Sequence, residues 1–156
     1  MSKVRNTQNY SVDIKDLLKS SDALLIDVGK LLKDAENTQF EDRVYAYARG
    51  GPGGVIPFRE ASEKAWIALY QAVDVLIHHL LSKIPKGHYD RKLALREIEE
   101  KNTEIAELNI YDRYAARAAH IRNNTTYYTT KDLEFLSFEI SKLKDLIEDI
   151  RKVVTG

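Results

Sequence analysis

From Leu133 to Val154 an apolar residue recurs every third or fourth position: Leu133, Leu136, Ile140, Leu143, Ile147, Ile150 and Val154. That period fits one secondary structure, an α-helix laying a single apolar stripe on its neighbours. A stripe held for this long normally meets another helix, and the pattern alone leaves open whether that helix belongs to the same chain or to a second copy. Thr129, with Asp132 three residues later, resembles a capping box opening the helix.

The same periodicity runs through most of the chain. Ile14, Leu18, Leu25, Val28, Leu32 and Ala35 form a stripe from Ser11 to about Ala35, with a less regular continuation through Phe40, Val44 and Tyr47 to Arg49. Gly50-Gly-Pro-Gly-Gly54 then interrupts any helix. Pro57 suits the first turn of the next one, in which Trp66, Leu69, Val73, Leu76 and Leu80 step inward and Ala65, Ala68 and Ala72 keep a neighbouring face small. Pro85-Lys-Gly-His88 ends that helix. A charged helix is expected from about Asp90 to Leu108, with Leu95, Ile98, Ile105 and Leu108 inward. The segment Tyr111–His120 follows, either continuous with it or offset by a kink near Asn109, and Asn123-Asn-Thr-Thr is a turn. No alternating run bounded by hairpin turns argues for a sheet. The expected fold is an all-α, up-and-down bundle of four to five helices. It forms a single domain over residues 1–156, with 1–10 a polar tail and 50–57 a Gly/Pro-rich inter-helix loop.

Composition narrows the function. Lys plus Arg and Asp plus Glu both number 24, so no net field draws the chain to nucleic acid or anionic lipid, and any phosphate recognition must be local. With no cysteine, disulfides, thiolate catalysis and Cys-ligated metals are excluded. The polar N-terminus lacks a signal-peptide pattern and no stretch approaches the apolar length of a membrane span, which together point to a cytoplasmic protein with no membrane partner.

The candidate site is Arg113 with His120. Seven residues on a helix return a side chain to nearly the same face, and the Ala-rich filler between them leaves both heads room. A fixed cation beside a group that exchanges a proton near neutral pH is a minimal kit for handling phosphate; the plainer alternative is two surface residues on an amphipathic helix. Arg117 lies one turn from each as a second cation, Asn123 and Asn124 are within a turn of His120, and Tyr127-Tyr128 offers rings that stack on a base or pack on the bundle end. The Gly50–Gly54 segment follows a helix and lacks the Gly-Lys-Ser/Thr of a phosphate loop, so it reads as an inter-helix turn. Asp74 and His78 are spaced to share a metal but have no third ligand at a matching position, so no metal and no cofactor are expected.

Glu60-Ala-Ser-Glu-Lys-Ala-Trp66, running into Ile67-Ala-Leu-Tyr-Gln-Ala-Val-Asp-Val-Leu-Ile77, resembles the archaeal PaREP family, whose helix reads Ala-Ser-Glu-Lys, an aromatic residue, then an Ala-rich apolar stretch. Ala115-Ala-Arg-Ala-Ala-His120, the Tyr127-Tyr128 turn and the long Leu/Ile last helix are similar to the rest of that pattern, from about Ser11 to Val154. The family is similar to the wider HEPN superfamily of helical bundles. The resemblance implies a homodimer in which an Arg-x(4–6)-His motif faces its twin, and a nucleotide- or RNA-handling role that in many members is metal-independent RNA cleavage. Carried over, the motif falls on Arg113 and His120 as the catalytic pair. Active members usually follow the Arg with Asn, Asp or His, whereas Tyr114 stands here, which favours a binding or partner-docking module over a ribonuclease. Some members pair with a small nucleotidyltransferase as a toxin–antitoxin couple, and the resemblance makes such an enzyme a candidate partner.

Overall fold

A computed structural model describes residues 13–14, 16–37, 56–122 and 130–156. Regular structure among the described residues is helical throughout, with no strand, so the all-α bundle expected from periodicity is the fold. The elements are α1 (Asp16–Asn37), α2 (Ile56–Leu81), α3 (His88–Lys101), the single turn α4 (Thr103–Ala106), α5 (Ile110–Arg117), which runs on into a π turn at Ala118–Arg122, and α6 (Thr130–Thr155). None of these helices is long and apolar enough to cross a membrane.

α2 is the central helix. Ala61, Ala65, Ala68 and Ala72 are fully buried, and this methyl-only face lets α1 approach until the Ser21 hydroxyl sits 2.8 Å from the Ala68 carbonyl and 3.0 Å from its own Leu17 carbonyl. Leu69, Val73, Leu76 and Ile77 share one core with Leu143, Leu146, Ile147 and Ile150 of α6, Leu95 and Ile98 of α3, and Ile110 and Ile121. Each large aliphatic side chain so buried contributes about 1.5–3 kcal/mol. From Leu136 to Ile150 the stripe of α6 is therefore spent inside the chain, against α2, α1 and α5.

Pairing across the helices fixes their course. Ser21 meets Ala68 and Asp27 meets Lys64, so α1 and α2 run antiparallel. Ser82, with φ 55, ends α2, its N–H bonding back to His78, and residues 83–87 return along α2 so that His88 starts α3 beside Trp66.

The charged helix expected to reach Leu108 stops at Lys101. Asn102 is extended (φ −139°, ψ 104°) and its side chain accepts from the Ile105 N–H, capping a new turn. Of the two courses open for Tyr111–His120, the kink near Asn109 is the one present: Asn109 sits in the left-handed region at φ 55, which Asn tolerates better than most residues, and α5 starts after it. The continuation through Phe40–Arg49, the Gly50–Gly54 loop, the polar tail and Thr129 of the capping box lie outside the described residues.

Candidate functional site

One face of α5 is turned to α6, and the two helices run antiparallel: Arg113 pairs with Asp149, while Arg117 and His120 both reach Glu139. Arg113 places Nη1 2.8 Å from Asp149 Oδ2 and 3.1 Å from the Leu108 carbonyl. Arg117 and Glu139 are buried, at 7% and 2% exposure, with Nε 3.0 Å from Oε1. That approach does not meet the angle of a hydrogen bond, and among the described residues Nε has no hydrogen-bond partner. Burial, and then the neighbouring Arg113, lower the Arg117 pKa against the pull of Glu139.

His120 lies in the π turn, a helical form that holds an extra residue per hydrogen-bonded turn and is frequent at functional sites. Its ring is 47% exposed, with Nδ1 3.1 Å from the same Oε1 of Glu139. A carboxylate only accepts, so Nδ1 is the donor in this contact and Nε2 is the ring nitrogen turned away from Glu139. The ring meets Phe135 edge-on at 5.8 Å; Phe135 and Phe138 are 43% and 57% exposed, and the Lys142 ammonium lies 4.6 Å from the Phe138 ring centre. The arrangement can therefore offer a ligand one oriented imidazole nitrogen beside two exposed rings and a cation.

Among the described residues Arg113 and His120 do not share a partner. Their carboxylates, Asp149 and Glu139, are separated along α6 by about 15 Å of helix rise. Arg117, placed between them, is instead the residue coupled to His120.

Tyr114 turns the opposite way, into the core. Its hydroxyl is 2.9 Å from His88 Nδ1 and also bonds Arg91, whose guanidinium grips Asp74 at 2.7 and 3.1 Å. The result is a relay in which Arg91 donates to Asp74 and Tyr114, and the Tyr114 hydroxyl shares a hydrogen bond with His88 Nδ1. Burial pushes the Tyr114 pKa up to about 12, so the phenol keeps its proton. Burial lowers the His88 pKa, followed by the charges of Arg122, Lys92 and Arg91. Burial would lower Arg91 as well, but its bonds to Asp74 outweigh it and the net shift is upward. Trp66 closes the cluster, its ring 5.3 Å from Tyr114 and 5.8 Å from His88, with Arg122 over it at 6.0 Å. Asp74 is thus committed to Arg91, while His78 is half-buried elsewhere and His79 is exposed.

Asn123, Asn124 and Tyr127 lie outside the described residues. Sequence reasoning missed Glu139. The available signal was its register: three residues after Leu136 and four before Leu143, it occupies an inward position among apolar ones. Compared with protein-family models, curated proteins and solved structures, the chain matches none.

Proposed function

We propose that this chain is a HEPN-like helical module that binds single-stranded RNA or a nucleotide on the face around His120, and that it does so as a homodimer. The observation that carries the reading is the exposed His120 ring, held through Nδ1 by buried Glu139 and set against exposed Phe135. Exposed aromatic rings beside a hydrogen-bonding group suit unpaired bases, whose faces stack regardless of sequence. The equal numbers of acidic and basic residues suit a contact led by stacking, with a shallow salt dependence. The sequence resemblance supports the dimer.

A second reading, metal-independent RNA cleavage, draws on the same Glu139–His120 contact, because a carboxylate on Nδ1 orients an imidazole as a general base. Against it stands Arg113: the cation that would stabilise a phosphorane is neutralised by Asp149.

Anisotropy of labelled single-stranded RNA with the purified chain in excess chelator, together with gel analysis of the same samples, separates the two. Binding is expected without cleavage, weakened about tenfold by Phe135→Ala through loss of one stacked ring, and weakened also by His120→Ala. Absence of binding by the wild type would overturn the reading. Cleavage that disappears in His120→Ala would replace it with the ribonuclease.

A further inference from the structure

Where the start of α1, the end of α2 and the end of α6 meet, the molecule has a half-open groove of about 620 Å³. Its walls include Ile14, Leu18, Val75 and Val154. Its rim carries His78, His79 and Lys19. The volume lies in the range of small-molecule sites, which combine an apolar lining with a few polar groups that fix orientation.

We propose that this groove binds a small amphipathic anion, its apolar body against the aliphatic walls and its head group on the two imidazoles and Lys19. The sign of the head follows from what remains uncommitted. Arg151 also lines the groove but already pairs with Asp22 and Glu148. Neither His78 nor His79 has a side-chain partner among the described residues, and Lys19 has only Asp16 at 3.9 Å. Each imidazole has an N–H to give whatever its charge, and the ammonium has three. Among the described lining residues Asp13 is the one carboxylate. A quaternary cationic head would leave these donors unmatched, whereas an anionic one accepts from all of them and gains charge assistance. The groove is independent of the His120 face: Glu139 and Thr155 are about 24 Å apart along α6.

Titration calorimetry of the full chain with sodium decanoate, and with decyltrimethylammonium as the cation of equal tail length, both below their micelle concentrations, tests this directly. Decanoate is expected to bind saturably at one site, about tenfold more tightly than the cation, as charge-assisted hydrogen bonds would give. His78→Ala/His79→Ala, which removes both side-chain donors, should erase most of that preference while leaving the fold intact, since neither imidazole is fully buried. Val154→Trp, checked by circular dichroism, should remove saturable binding by filling the groove. Equal affinity for the two amphiphiles, no saturable heat with decanoate, or decanoate binding unchanged in the rim variant would each overturn the proposal.

Discussion

Arg91 meets Asp74 with two aligned hydrogen bonds, whereas Arg117 meets Glu139 through one 3.0 Å approach that leaves Nε without a hydrogen bond among the described residues. Both pairs are buried and both join helices, yet their electrostatics diverge: the Arg91 pKa is raised and the Arg117 pKa is lowered. The carboxylates account for the difference. Asp74 is wholly enclosed and gives both oxygens to one guanidinium, in the fork geometry that arginine and carboxylate share. Glu139 divides a single oxygen between Arg117 and the half-exposed His120. A closed pair holds helices together. A shared one reaches the surface through His120, whose half-exposed ring a ligand can meet.

The largest expected effect tests the closed pair. Asp74→Ala strands a buried guanidinium and should cost about 3–5 kcal/mol in urea unfolding; a cost no larger than that of the Glu139 variant would break the contrast. Glu139→Gln keeps an acceptor near His120 and should cost about 1–3 kcal/mol, with the weakened RNA binding of the His120 variant as its companion readout.

His88 sharpens the picture through pH. Its folded pKa is lowered, so the unfolded chain takes up the proton first as pH falls below about 6.5. The stability from the neutral ring is complete above that value and is lost as pH falls through the folded pKa. Unfolding free energy measured from pH 7 to 5 should decline in the wild type and decline less in His88→Gln; parallel curves would remove His88 from the relay. Arg113→Ala, which breaks a half-exposed pair, should change stability by about 0.5 kcal/mol.

Much of this architecture is legible in the residue pattern, because repetition along one helix is local information. Leu136, Ile140, Leu143, Ile147 and Ile150 are all buried, as their spacing predicts. The end of α3 was less visible: Asn102 sits in a charged run, and nothing in its neighbours announces that its side chain accepts from the Ile105 N–H while its backbone is extended. The site was half visible. Arg113, Arg117 and His120 do share a face, but which carboxylates they meet depends on how α5 lies on α6. Glu139 is 19 residues beyond His120 in the chain, and no spacing rule reaches across that separation. Tyr114 looked like a replacement for a polar partner of Arg113; it belongs to the Asp74–Arg91–His88 relay on the other side of α5.

The alanine face of α2 bears on how related chains would be found. At positions 61, 65, 68 and 72 any side chain larger than alanine would push α1 away and sever the Ser21–Ala68 contact. The surface charges between them carry no such restriction. Over long divergence this interface can drift only among the smallest residues while the polar exterior is rewritten, so distant kin would share with this chain a set of side chains that are missing more readily than any motif that is present.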